Sequence, residues 1–409
     1  MRRDADRGTN PSGLHVLEVV GNSIVGGMER QVSALSSQLR ARGITVTCLC
    51  PNESAFTRDM RALGCDVFVT PVRDDPAWRS IQMAVELIRL RGVSLLHAHM
   101  ARAHVLAGLA GSLTRIPVVA TIHGKDVSSQ ELGITRTLGS HLIVVCQEAF
   151  AQALALGVPP GRVSLIRNGV DTRIFAPGGS GSKFRAALDV PEEAPLVGFV
   201  GRLAYEKGPD QFIRLAAVVH GQRPDVHFAL VGEGDQRQTV SALIGEHGLG
   251  EVVHLAGEWL DMGAVYPALD LVVQTSRSEG LSLSVLEAMA SGLPVVATAV
   301  GGSAELVEAG ITGRLAGAGD WEGAARAVVD LLARPERLRE MGLAACERAR
   351  AHFNLTTTGQ LTAGLFERLS ASGFQPAHPW EITLPAAGAA SAEEPLPEAE
   401  RHALGQLGG

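Results

Sequence analysis

EGLSLSVLEAMASGLPVVAT, residues 279–298, follows one short apolar run, LDLVVQT (269–275), and ends in another, LPVVAT (293–298). Both runs read as buried strands bounded by turn residues. Between them LSLSVLEAMAS has the composition of a helix, and Gly292 supplies its stop. The stretch is therefore a β–loop–α–β unit, the building block of a parallel sheet covered by helices. It carries two carboxylates, Glu279 at the helix mouth and Glu287 further along. If both were helical, eight residues at about 1.5 Å rise would hold them roughly 12 Å apart. A nucleophile–acid pair for glycoside cleavage needs about 5–5.5 Å, so that chemistry is disfavoured. Two acceptors so far apart suit the hydroxyls of a long ligand gripped at two places. Gly280, Leu281, Ser282 and Leu283 form the helix mouth, where free N–H groups and the helix dipole make a seat for an anion.

A second cluster points the same way. LVGFVGRLAYEKG (196–208) is a strand running into a glycine-bounded loop, with Arg202 and Lys207 five residues apart. The chain has only three lysines, at 125, 183 and 207, among its 36 basic side chains, so a lysine is a marked choice. Loops after strands are where open α/β sheets bind ligands. An arginine fork beside a lysine point charge suits a diphosphate. Polyol, phosphate, polyol is the layout of a nucleotide-sugar.

The rest of the chain agrees with an α/β architecture. At 409 residues it exceeds one ordinary core, and two domains are expected. Strand-like runs alternate with helical patterns: 14–20, 44–50, 94–99, 117–123, 141–146 and 162–166, then 196–201, 226–232, 252–257, 269–275 and 293–298. Helices are expected at 321–333 and 336–352. The Gly/Ser-rich stretch APGGSGS (176–182) breaks the pattern. This divides the chain into a first domain at 1–176, a linker at 177–190 and a second domain at 191–355. A helical segment follows at 356–373. Residues 374–409, rich in Ala, Pro and Glu without a periodic apolar face, are expected to form a mostly disordered tail.

Composition narrows the class. Hydrophobic residues make up 46% and charged residues 19%, the balance of a well-buried globular protein with no call for nucleic acid. The longest uncharged stretch, 288–304, is broken by Gly, Ser and Pro, so no membrane helix is expected. The start, MRRDADRGTNPSG, lacks an apolar h-region, and a cytoplasmic protein is expected. Five cysteines, at 48, 50, 65, 146 and 346, show no metal spacing and read as core thiols. Residues 1–175 hold 19 basic and 14 acidic side chains, while the remainder hold 17 and 29. The basic front suits an anionic acceptor, or peripheral contact with an anionic membrane at the inner face of the plasma membrane.

Taken together, E-x7-E followed by AMASGLPVVAT, with GRL-x3-KG upstream, resembles the retaining glycosyltransferases of family 4, which have the GT-B fold. NGVDT (168–172) resembles that family's interdomain signature, and LVGEGDQR (230–237) its strand–turn–helix after the phosphate loop. GNSIVGGMERQV (21–32) resembles its glycine-rich first loop, and TIHGKD (121–126) its histidine loop. The motifs occur in the right order across about residues 14 to 370. The resemblance implies two Rossmann-like, doubly wound parallel-sheet domains facing a cleft, with the helix at 356–373 crossing back onto the first domain.

Further site candidates follow. Gly26 and Gly27 open a helix after the first strand, where glycine lets a ligand approach the backbone. His123 ends an apolar strand and can donate a hydrogen bond into the cleft; the resemblance implies contact with the donor sugar near the reacting centre. His99 is expected to line the cleft. His97 and His99 have no carboxylate or cysteine at ligand spacing, so no metal is expected. The resemblance places the nucleobase at Ala256 and Gly257, held largely through backbone. Ser282 and Ser303 depart from the family's commoner residues, which puts donor selectivity in doubt more than activity.

The expected function is transfer of a sugar from a nucleotide-sugar to an acceptor hydroxyl with retention, in cell-surface polysaccharide or glycolipid synthesis. Arg202, Lys207 and the helix mouth would hold the diphosphate, Glu279 the sugar hydroxyls and Glu287 the ribose diol. His123 and Glu279 would stand nearest the reacting centre. The nucleotide-sugar is a substrate, so no cofactor is expected; the acceptor is lipid-linked or a saccharide. Two alternatives share the fold: a nucleotide-sugar epimerase, which needs further acids in the first domain, and a non-catalytic nucleotide-sugar-binding partner.

Overall fold

A computed structural model describes residues 13–23 and 26–373. The first sheet contains β1 (His15–Val20), β2 (Thr45–Cys50), β3 (Asp66–Val69), β4 (Leu95–His99), β5 (Val118–Ile122), β6 (His141–Val144) and β7 (Val163–Leu165). Its strand order is β3-β2-β1-β4-β5-β6-β7, parallel throughout. The second sheet contains β8 (Leu196–Val200), β9 (His227–Val231), β10 (Val253–Gly257), β11 (Leu271–Gln274), β12 (Val295–Thr298) and β13 (Gly313–Ala316). Its order, β10-β9-β8-β11-β12-β13, repeats the doubly wound pattern of the first. Both central strands are almost wholly buried, as continuous Val/Ile/Leu runs require when helices cover both faces of a sheet.

In such a sheet ligands settle beyond the carboxyl ends of the strands, where the winding reverses. That point lies between β1 and β4 in one domain and between β8 and β11 in the other. The loops after β8 and β11 carry Lys207 and Glu279, and β1 and β4 themselves carry Glu18 and His99.

Two expectations change. β3 and β13 are edge strands, each four residues long, that the apolar pattern does not reveal. DVFV keeps only its middle partly covered, and GRLA is interrupted by a charge. The expected linker at 177–190 is only half linker. Ser182–Ala187 is a helix whose Phe184 is fully buried, and Val190 is buried in the same core of the second domain. Burying a phenylalanine contributes about 1.5–3 kcal/mol, enough to fasten that turn to its domain. The tail at 374–409 lies outside the described residues.

The helix Leu355–Ser372 crosses back to the first domain, packing along the helix Gly27–Ala41 and against β4. Asn354 caps it by accepting from Thr356 N at 2.8 Å. Phe366, fully buried, stands edge-on to His97 with ring centroids 5.0 Å apart.

Candidate active site

Glu279 occupies the loop between β11 and the helix Leu283–Ala290, and it is buried. Its carboxylate accepts from Lys207 Nζ at 2.8 and 2.6 Å, from Gln274 Nε2 at 3.1 Å and from Ser276 Oγ at 3.2 Å. A buried carboxylate requires such partners, and the loop supplies them from two neighbouring strands. Lys207 ends the single turn Tyr205–Lys207, and Gly208 follows with φ +65. A Cβ on Gly208 would stand 2.1 Å from Thr275 O, so glycine is what lets the lysine loop close against the glutamate loop. Expected as separate grips, Lys207 and Glu279 thus form one ion pair. Arg202 is not drawn into it; exposed, it pairs with Glu206 four residues on.

The helix mouth is open to a ligand's charge. The N–H groups of Leu281, Ser282 and Leu283 make no hydrogen bond among the described residues, and Ser282, at the N-cap, gives no side-chain cap. The Leu281 carbonyl, on the opposite side, accepts from Asn168 Nδ2 at 3.0 Å. Asn168 lies near the end of the first domain, so it ties the mouth to that domain. Gly280 lies directly against that domain: a Cβ there would stand 2.0 Å from His123 O. Gly27, the first residue of its helix, faces Leu283 at ordinary contact distance.

Glu287 is buried on the same helix, four residues past Leu283. Its Oε2 accepts from Tyr266 Oη at 2.7 Å, and Oε1 faces Arg30 of the first domain at 3.9 Å. Burial raises the carboxyl pKa above the ordinary value; the Arg30 charge and the Tyr266 hydrogen bond oppose that rise. A solvated surface glutamate is therefore not what stands here. Ala256 and Gly257, at the end of β10, are half-buried. Ala256 O accepts from Trp259 Nε1 at 3.2 Å and Gly257 O from Gly232 N at 2.8 Å.

Across the cleft, the first domain holds a chain of rings around Glu18. His99 Nε2 donates to Glu18 Oε2 at 2.8 Å, and His99 Nδ1 lies 2.9 Å from His123 Nε2. His97 Nδ1 approaches the same Glu18 oxygen to 2.9 Å, and its Nε2 meets Thr121 Oγ1 at 2.7 Å. Sheet register explains the cluster: Glu18 pairs with His97 across β1–β4, and His99 pairs with Thr121 across β4–β5, leaving His123 two residues beyond. Glu18 thus supplies the carboxylate that the local spacing of the histidines lacks. Separations of 2.8–2.9 Å are hydrogen-bond lengths, whereas ligands around one tetrahedral zinc stand about 3.3 Å apart. Burial alone would raise the Glu18 pKa, but the His97 and His99 rings outweigh it and hold the carboxyl at about 2. Burial lowers His99 to about 4 and pushes His123 well below the ordinary imidazole value, so both rings are neutral at pH 7. His123 therefore spends one ring nitrogen inside its own domain.

Several of these residues carry no local motif. Glu18 could have been noticed as a lone charge inside the apolar run LHVLEVV. Arg30 and Tyr266 look like an ordinary helix arginine and a core aromatic. Glu305 is a further interdomain contact, accepting from Arg167 Nε at 2.8 Å and from Gln147 N at 2.5 Å.

Comparison with known proteins agrees with this geometry. The family model for glycosyl transferases group 1 matches residues 181–348, and that for glycosyltransferase family 4 matches residues 25–174. A D-inositol 3-phosphate glycosyltransferase 2 of Catenulispora acidiphila is 31% identical over 303 residues, spanning 67% of this chain and 70% of that one. A D-inositol 3-phosphate glycosyltransferase of Kribbella flavida is 29% identical over 397 residues, 86% of this chain and 92% of its own. The chain belongs to the group 1, family 4 glycosyltransferases, and it is a glycosyltransferase. Among solved structures, Anabaena HepE in complex with UDP-glucose superposes with a TM-score of 0.78 at 24% identity, covering 87% of this chain and all (100%) of its own. Sucrose-phosphate synthase of Thermosynechococcus elongatus does so with 0.72 at 24%, covering 88% and 100%. These two likenesses establish the GT-B fold. Among the described residues, no helix is long and apolar enough to cross a membrane.

Proposed function

We propose that the chain transfers a hexose from a nucleotide-sugar to an acceptor hydroxyl with retention of configuration, without a metal or other cofactor. The observation that carries this reading is the Lys207–Glu279 pair beside three helix N–H groups that have no partner among the described residues, with Gly280 of the same loop lying against His123 of the other domain. Lysine, arginine and helix mouth offer fixed positive charge where a diphosphate leaves. Glu279 faces the sugar hydroxyls and Glu287 the ribose diol, with Ala256 and Gly257 beside the base. Glu279 and Glu287, eight residues apart, stand too far from each other for a nucleophile–acid pair, so the acceptor attacks from the face the diphosphate vacates, and the leaving phosphate takes its proton. The protein's part is positioning and electrostatics.

The acceptor has two readings. Lipid-linked saccharide synthesis fits the basic front half and the helix Trp78–Arg91, where Trp78 (68% exposed) and Leu90 (82%) stand beside exposed arginines. Such a face docks reversibly on anionic lipid, and its sedimentation with anionic vesicles falls steeply as salt rises. The relatives that act on D-inositol 3-phosphate favour a small phosphorylated cyclitol instead, which the same basic half also suits. A panel of nucleotide-sugars tests the donor: the true one stabilises the fold by about 2.7 kcal/mol at a hundred times its Kd. If no member raises the melting temperature or is hydrolysed, the reading fails.

A further inference from the structure

The polarity of the His123 ring is set at a distance. An ionised carboxylate has no hydrogen to give, so the 2.8 Å contact with Glu18 requires that His99 carry its hydrogen on Nε2. A neutral imidazole has one N–H, so His99 Nδ1 is an acceptor. His123 Nε2, 2.9 Å away, must then be the donor. By the same count His123 Nδ1 bears only a lone pair. That atom has no protein partner among the described residues and is not among the buried polar atoms that lack one, so it faces accessible space. A protonated Glu18 would reverse every step and leave His123 Nδ1 a donor. An ionised Glu18 is the ordinary state of a carboxylate at pH 7, and the His97 ring, with Nδ1 2.9 Å from the same oxygen though not hydrogen-bonded to it, stands close enough to favour that charge. The low Glu18 pKa, about 2, agrees.

We propose that Glu18 and His99 are positioning residues that hold His123 in its Nε2–H tautomer, so that the ring meets the donor sugar as a hydrogen-bond acceptor. The assignment rests on the reading that His123 faces the nucleotide-sugar. It reverses the simplest expectation, in which the imidazole donates into the cleft. The sugar group opposite Nδ1 must then be a hydroxyl, which can donate, and not a carboxylate. Backbone geometry keeps the chain of rings in place: Gly21 N donates to His99 O at 3.1 Å, and Met100, the next residue, is held at φ +77, a conformation that costs a non-glycine residue about 1–3 kcal/mol.

Two-bond proton–nitrogen correlation spectra of the 15N-histidine-labelled, ligand-free protein read the tautomer directly. The His123 signals are identified by their loss in His123→Asn. At pH 7 the expected pattern is hydrogen on Nε2 and a bare Nδ1 for both His99 and His123. In His99→Phe the His123 ring becomes a mixture of tautomers. In UDP-glucose hydrolysis the same variant loses about tenfold in kcat with little change in KM, and nothing further in a His123→Ala background. Hydrogen on His123 Nδ1 in the native protein overturns the proposal, as does a pure Nε2–H tautomer surviving in His99→Phe. Undiminished turnover in His123→Ala sinks the donor-facing reading instead, and leaves the tautomer result standing.

Discussion

The two halves of the cleft solve the burial of a carboxylate differently. In the first domain Glu18 is fully buried beside the imidazoles of His97 and His99, its neighbours drawn from the same sheet. In the second, Glu279 is neutralised by a lysine that keeps a quarter of its side chain exposed, beside helix N–H groups that have no partner among the described residues. The first arrangement is closed off from solvent, leaves Glu18 Oε1 and His97 Nδ1 without hydrogen-bond partners, and fixes orientation through His99. The second is electrostatically unfinished, and a ligand anion completes it. The contrast separates a rigid support from a binding surface, and the proposed function seats the diphosphate on the second.

Replacing Lys207 tests that contrast most severely. Lys207→Ala removes the cation expected at the departing phosphate, and loss of one such contact costs about 10²–10³ in kcat. It also leaves Glu279 with two neutral donors, a stability loss of about 1–3 kcal/mol. Adding Glu279→Gln should restore part of the melting temperature and none of the turnover. If the single variant melts like the native protein, the pair does not neutralise a buried charge.

Gly280→Ala probes the seam between the clusters. The added Cβ would overlap His123 O, an unyielding backbone atom, so the loop must move. Loss of about 1–3 kcal/mol and much of the turnover is expected, with donor affinity reduced. Normal melting and normal kinetics would mean that the loop does not rest on His123.

Acid should act on the first domain and spare the second cluster, which contains no histidine. His99 is held at about 4, His141 at about 4 and His104 at about 3, each chiefly by burial. Their folded pKa values lie below that of the unfolded imidazole, so below about pH 6.5 the unfolded chain binds protons that the folded chain refuses. Stability therefore falls as pH drops from about 6.5 towards 4, by up to about 1.4 kcal/mol per pH unit for each histidine. Denaturant midpoints across that range measure it; a flat profile would show that these rings are protonated in the fold. Smallest of all is Arg202→Ala, whose exposed pair with Glu206 is worth less than about 1 kcal/mol to the fold. Its effect should appear in donor affinity alone.

The split between the halves also governs what the sequence makes legible. The second-domain cluster is local: Glu279, Gly280 and Glu287 lie in one β–loop–α–β run, and Lys207 lies in one strand–loop run. Period and turn chemistry find both. The first-domain chain joins β1, β4 and β5, whose adjacency is a matter of sheet order and register. Glu18 and His99 are 81 residues apart, and no spacing rule connects them. The ion pair between Lys207 and Glu279, 72 residues apart, was likewise hidden, although each residue was recognisable alone. Edge strands β3 and β13 escape because a four-residue, half-covered strand has too little apolar pattern to read. The helix at 182–187 escapes because glycine and serine precede it, while its one deeply buried anchor, Phe184, shows only after folding.

The central claim is a sugar transfer without a protein nucleophile, guided by two clusters on opposite walls. The anomeric configuration of the first product formed from an α-linked nucleotide-sugar, followed by proton NMR, tests it most directly. The account predicts an α-linked product formed in the presence of a chelator; a β-linked product, or activity abolished by the chelator, would contradict it.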